Sequence, residues 1–173
     1  MLTQALEHNR TYTYKDYADL PEGSPYQLIG GELVMVPSPV PYHQKVSKKL
    51  EFLLYEFVEK KKDMGEVFDS PIDVYLNDTE VYQPDIIFIS KERLNIIGEN
   101  KIEGAPDMVV EILSPSTAYY DLKHKFTVYA KHGVREYWIA DPMGKSIEVF
   151  ENREGEFILI SKAKDKGHVK SKI

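Results

Sequence analysis

No cysteine occurs among the 173 residues. Disulfides, thiolate metal sites and cysteine nucleophiles are thereby excluded, and a metal would have to be held by carboxylates or imidazoles. A long apolar run is missing too. The opening MLTQALEHNRTY is polar and mixed in charge, with nothing resembling a signal peptide. The expectation is a cytoplasmic protein. Positive charge is in deficit: 22 Lys and Arg stand against 28 Asp and Glu, a formal net charge of -6. That argues against coating nucleic acid by bulk charge. Local basic faces remain open, because lysines gather at Lys45, Lys48 and Lys49, at 60–62, at Lys123 and Lys125, and from Lys162 onward. Such runs most often solubilise a helix face. There is no P-loop, no GxSxG and no HExxH, and the five histidines are not spaced as a zinc site.

What is present suits one globular domain spanning 1–173, with 42% hydrophobic and 29% charged residues. TYTYKDYADLPEG predicts a short helix with Thr13 as N-cap and Pro21 as stop. In YQLIGGELVMV, Gly30-Gly31 between two apolar runs predicts a hairpin. From Tyr42 to about Lys62, Val46, Leu50, Leu53, Leu54, Phe57 and Val58 recur at threes and fours, a helix with one apolar face. GEVFDSPIDVYL reads as a strand or a hairpin pair, and PDIIFIS as a short apolar strand. KERLNIIGENKIEG reads as a polar connector with one helical turn. After DMVVEIL comes a helix capped at Ser116 or Thr117, whose apolar face takes Ala118, Leu122, Phe126, Tyr129 and Ala130. REYWIAD is a further strand, and SIEVFE with EFILISK a last hairpin. The order predicts a mixed sheet flanked by helices, of the α/β or α+β class.

DMVVEILSPST carries the chemical question. Met108, Val109, Val110, Ile112 and Leu113 form the run of a strand covered on both faces, yet Glu111 stands inside it. A buried carboxylate without a partner costs several kcal/mol, on the order of what a whole domain can spare. Alternation puts Asp107, Val109, Glu111 and Leu113 on one side. A second acid, Asp85, opens PDIIFIS. If the two strands are neighbours, the acids converge at a strand end, where they need a shared proton or a cation. Mg²⁺ or Mn²⁺ suits such oxygen ligands. Alternatively, Glu111 is salt-bridged to a nearby lysine or neutralised, and Asp85 merely starts a strand or accepts a turn hydrogen bond. Asp121 and Lys125, at i,i+4, form either a surface ion pair or the approach of Lys125 to the strand end, with Lys123 its rival. His124 is expected to face solvent, and His8, His132 and His168 carry no signal.

QPDIIFIS, GAPDMVVEILSPST and DLKHKFTVYAKHGVREYWIAD, in that order, resemble the Uma-type family of restriction endonucleases within the PD-(D/E)XK nuclease superfamily. YQLIGGELVMVPSPVPYHQKVSKKL is similar to the family's amino-terminal pattern, and the resemblance runs from about Tyr12 to Phe150. It implies a restriction-endonuclease-like fold, a mixed central sheet with flanking helices and an N-terminal hairpin. It makes Asp85 the aspartate of the PD motif and Glu111 the second acid, both metal ligands. The catalytic lysine maps to Lys125, the acid after the hairpin turn to Glu32, and a histidine of the pattern to His43. One position departs: where the simple motif has a lysine two residues after the second acid, this chain has Leu113.

The resemblance thus implies a Mg²⁺- or Mn²⁺-dependent endonuclease hydrolysing DNA phosphodiester bonds. Asp85, Glu111, Lys125 and Glu32 would form its centre. His43, Lys45, Lys48, Lys49 and Lys123 would meet the nucleic acid. The alternative is a nucleic-acid- or partner-binding module that keeps the fold without turnover. A homodimer is expected, since cutting two strands takes two active sites, and tyrosines such as Tyr119 and Tyr120 offer interface aromatics.

Overall fold

The computed structural model describes residues 10–173. The polar opening read at residues 1–9, with His8, lies outside them.

A short helix, α1 (Tyr14–Ala18), opens the described chain. Thr13 is its N-cap, and the Thr13 backbone N–H and hydroxyl both donate to the Asp16 carboxylate, at 2.9 and 2.8 Å. Strands β1 (Tyr26–Ile29) and β2 (Glu32–Met35) follow as the expected hairpin. Gly30 and Gly31 take φ of 60° and 76°, the left-handed pair that a two-residue hairpin turn requires. Helix α2 (Pro41–Tyr55) starts with proline in its first turn, where no amide donor is needed. It continues as a π-helical segment over Glu56–Lys61.

The remaining strands are β3 (Gly65–Asp69), β4 (Val74–Asn77), β5 (Glu80–Tyr82), β6 (Ile86–Ser90), β7 (Ile102–Glu103), β8 (Met108–Ile112), β9 (Glu136–Asp141), β10 (Ser146–Arg153) and β11 (Glu156–Lys164). A 3-10 helix at Lys91–Ile96, two turns long, stands where one helical turn was expected in the polar connector. Between β8 and β9 lie a π-helical segment, Tyr120–His124, and helix α3 (Lys125–Lys131).

The class is mixed α and β, as expected, but the strands form two sheets where the sequence suggested one. One runs β2-β1-β5-β4-β7, the other β11-β10-β9-β8-β6-β3. GEVFDSPIDVYL is therefore no hairpin. Its first half pairs with β6 and its second with β5 and β7, so the SPID segment crosses between sheets. β8 pairs antiparallel with β6 and parallel with β9, at the centre of the six-stranded sheet. Every residue of β6 and β8 is buried, which fits their unbroken apolar runs.

That sheet has a core on each face. Ile87, Ile89 and Val109 pack with Tyr129 and Ala130 of α3 on one side. Ile86, Phe88 and Val110 pack with Val58, Leu50 and Leu54 on the other. The apolar stripe read along α2 is narrower than expected. Leu53 and Phe57 stay exposed, as does Phe52. The larger correction concerns the helical stretch after β8. Leu122, placed on the apolar face from sequence, is exposed, while Asp121 and Lys125 are buried. The π-helical turn before α3 shifts the register, and Asp121, Lys125 and Tyr129, spaced i,i+4,i+8, become the inward stripe. Such π turns often mark functional sites.

Candidate functional site

The pairing of β6 with β8 decides the geometry. Ile86 stands opposite Val110 and Ile87 opposite Val109, which continues to Asp85 beside Glu111 at the strand ends. The Ile112 N–H donates to Asp85 Oδ2 at 2.7 Å, fixing that carboxylate against β8. His43, on the first turn of α2, reaches the same place. Its Nε2 lies 3.3 Å from Asp85 Oδ2 and 3.1 Å from the Ile112 carbonyl oxygen. Both are acceptors, so Nε2 carries the proton. The bond to Asp85 raises the His43 pKa and outweighs the burial that opposes it. His43 thus stands turned in upon an acid.

Glu111 is held from α3. Lys125 Nζ donates to Glu111 Oε1 at 2.9 Å and lies 3.0 Å from Asp121 Oδ1. The Tyr129 hydroxyl also donates to Glu111 Oε1, at 3.0 Å. The Tyr82 ring lies 5.6 Å from the ammonium, within cation–π range. Lys125 is 3% exposed and Glu111 likewise 3%, so the Asp121–Lys125 spacing is a buried ion pair. Lys123, the rival lysine, is exposed at the surface.

The charges do not balance. One buried ammonium faces Glu111 and Asp121, with Asp85 close by. Burial drives the Glu111 pKa up to about 8, with Asp121 and Asp85 adding to the rise and Lys125 opposing it. For Lys125, burial disfavours the ammonium, but Glu111 and Asp121 more than restore it, so its pKa is raised. Counted as ions, Asp85, Asp121 and Glu111 outnumber Lys125 and a protonated His43 by one. With the Glu111 pKa pushed up to about 8, a proton makes up that difference at neutral pH until a cation displaces it.

A divalent cation suits that surplus. Asp85 Oδ1 and Glu111 Oε2 receive no hydrogen bond from any described residue, while their sister oxygens are engaged. No three His, Asp or Glu side chains converge as a metal cage among the described residues. Two carboxylates completed by water and substrate oxygens are a usual setting for Mg²⁺.

Glu32 is exposed on the edge strand β2, and no described hydrogen bond or ion pair joins it to Asp85, Glu111 or Lys125. Lys45, Lys48 and Lys49 stand exposed along α2. His124, expected at the surface, is half-buried. Its Nε2 lies 3.1 Å from Glu80 Oε1, and Glu80 also accepts from the Gly30 N–H at 2.9 Å and from the Tyr82 hydroxyl. That bond ties the π turn ahead of Lys125 to the hairpin sheet, because a buried carboxylate such as Glu80 draws in the nearest donors.

The Asp121–Lys125 pair read from the i,i+4 spacing is present but buried rather than at the surface. Tyr129, placed on the apolar face, has a hydrogen-bonding role to Glu111 that sequence reasoning did not assign; its i,i+4 spacing with Lys125 was the available signal. Among the described residues no helix is long and apolar enough to cross a membrane.

The chain matches the family described as "Uma2: Putative restriction endonuclease" over residues 14–169. Among solved structures it is similar to "a putative nuclease belonging to DUF820" from Anabaena variabilis. That protein is 22% identical, the match covers 85% of this chain and 83% of that one, and the TM-score is 0.70. No curated protein matches it. The structural likeness establishes a shared fold, and the family match spans most of the described residues. The chain belongs to the Uma2 family of restriction-endonuclease-type proteins.

Proposed function

We propose that this protein is a divalent-cation-dependent endonuclease that hydrolyses DNA phosphodiester bonds. The observation that carries this reading is the strand-end pairing of Asp85 with Glu111, with Lys125 buried 2.9 Å from Glu111. A lysine supplied by the following helix fills the role left open by Leu113. Asp85 and Glu111 are the residues that would hold Mg²⁺ or Mn²⁺. Such a cation, when bound, acidifies water and neutralises charge on a phosphoryl oxygen.

The side chains do the rest. Lys125, fixed between Glu111 and Asp121, offers positive charge where the phosphate gains negative charge. His43 and the Ile112 N–H hold Asp85 in place, and Tyr129 holds Glu111. Support of this kind commonly contributes about 10–100-fold to metal affinity or activity. Glu32 would be an added acid of this centre on the family pattern alone, and Lys45, Lys48, Lys49 and Lys123 meet the DNA backbone. A cytoplasmic homodimer would bring two such centres to the two strands.

The test is cleavage of supercoiled plasmid and of single-stranded DNA with Mg²⁺ or Mn²⁺, beside calorimetric metal titration. Asp85→Ala, Glu111→Gln and Lys125→Ala should each lower nicking about 100-fold or more, and the acid variants should also lose metal binding. Metal binding without cleavage by the native protein would favour a binding module on the same fold. Absence of metal binding would return Glu111 to a structural ion pair and defeat the proposal.

A further inference from the structure

Beside the acid site, α2 and the far edge of the six-stranded sheet enclose a groove of about 570 Å³. Its floor is apolar, with Leu50, Ala140 and Ile147. Lys45 and Lys49 form one wall, from α2. Lys145, Lys164 and Lys166 form the other, from the β9–β10 turn and the end of β11. All five lysines are exposed, and none is in an ion pair among the described residues. Asp141 and Asp165 are the acids of the lining. The Asp141 carboxylate is engaged by the Met143 and Gly144 N–H groups, at 3.0 and 2.9 Å. Five lysines and two aspartates leave a positive surplus on a chain whose formal charge is -6.

Stability does not explain this grouping. Lys45 and Lys49 are spaced i,i+4, where like charges cost a few tenths of a kcal/mol, roughly the reverse of an ion pair. The opposite wall is held firmly. The Asp165 N–H donates to the Lys145 carbonyl at 2.7 Å, and Ser146 pairs with Lys164. Lys145 and Asp165 both take left-handed backbone, with φ of 49° and 58°, a conformation that residues with a side chain seldom adopt without support from the fold.

The groove adjoins the acid site. Tyr42, at its mouth, is followed by His43, which touches Asp85. The Leu113 N–H donates to the Ala140 carbonyl at 2.8 Å, so the floor lies one strand over from the Ile112 bond to Asp85. We propose that this groove seats the phosphate backbone of the nucleic-acid strand flanking the scissile bond, with Lys145, Lys164 and Lys166 as phosphate contacts opposite Lys45 and Lys49. The naming of the occupant rests on the nuclease reading; the charge and placement of the groove do not.

The experiment is fluorescence anisotropy of a labelled DNA duplex in EDTA, so that binding is read without cleavage. Lys145→Gln/Lys164→Gln/Lys166→Gln is compared with a control triple at Lys60, Lys61 and Lys62. Loss of three phosphate contacts should weaken binding about tenfold or more near 0.1 M salt and flatten the log–log salt dependence by about 2 to 3. The corresponding triple arginine variant should bind as the native chain does. Unchanged affinity and slope in the glutamine triple, or equal loss in the control triple, would overturn the groove assignment. Because the acid-site variants keep the groove, they should still bind DNA in EDTA. A dead acid site with an intact groove effect would therefore sink catalysis alone, and the converse would sink the groove alone.

Discussion

Strand β8 is flanked by a buried acid at its start and carries another near its end, and the two are treated in opposite ways. Asp107, just before the strand, is fully buried. Its Oδ2 accepts the Ser90 N–H at 2.8 Å, and Arg93 and Arg135 lie 3.2 and 3.3 Å from Oδ1. Burial works against its charge, but the Ser90 bonds and Arg93 prevail, and its pKa is lowered. Glu111, four residues on, meets one ammonium already shared with Asp121, and burial raises its pKa. Asp107 is an acid whose charge the fold has settled. Glu111 is one whose charge is left for something else to settle. A buried carboxylate points to function when its surroundings leave it over-supplied with negative charge, not merely because it is buried.

Removing Lys125 should break that contrast most severely. Lys125→Met leaves Glu111 and Asp121 buried without their cation, and loss of one partner from a buried pair costs about 3–5 kcal/mol. Urea denaturation should show a loss of that size. Combining it with Glu111→Gln should recover part of the loss, a coupling on the order of 0.5–3 kcal/mol. Strictly additive losses would mean that the 2.9 Å contact carries no energetic weight.

At the other end, Asp107→Ala should cost less, because Arg93 and Arg135 are partly exposed and regain water. The Ser90 N–H is buried and does not, so the loss should be about 1–3 kcal/mol. DNA nicking by the folded variant should stay within a few-fold of the native rate. A collapse in nicking to the level of Glu111→Gln would erase the division between a structural and a functional end of β8.

The functional end was the more legible of the two. Glu111 interrupts an apolar run, Asp85 opens the next one, and strand alternation brings them together once β6 and β8 are neighbours. Gly30-Gly31 likewise announced its turn, because φ above zero at two successive positions asks for glycine. The balance of charge was not legible. The Asp121–Lys125 spacing was visible, but not which way it faced: across the π turn over Tyr120–His124 Asp121 is buried and Leu122 exposed, whereas helical periodicity assumes a uniform 3.6 residues per turn. Two sheets stood where one was expected because SPID carries the chain across between two strands that sequence would pair locally. The far wall of the lysine groove joins the β9–β10 turn to the end of β11, a meeting fixed by the β10–β11 register and not by any local pattern.

The sharpest discriminator should be pH, because the two acids carry opposite signs of pH dependence. The folded Asp107 pKa lies below its ordinary 3.8. Its stabilising contribution is present above that value and is lost as pH falls through the folded pKa. For Glu111 the folded pKa lies near 8 against an ordinary 4.5. Between those values the folded state holds a proton that the unfolded state has released. Its contribution therefore favours folding below about 4.5, declines as pH rises through that window, and levels off above about 8. Glu111→Gln cannot titrate, so the difference in unfolding free energy between it and the native chain should change steadily from pH 5 to 8, in the direction that favours the variant at the higher pH. The corresponding difference for Asp107→Asn should stay flat over the same range and change only in acid. Added Mg²⁺ should weaken the Glu111 slope, since a cation stabilises the carboxylate and lowers its pKa. A flat Glu111 difference from pH 5 to 8 without metal would show that Lys125 alone neutralises the acid, and the two ends of β8 would then be alike.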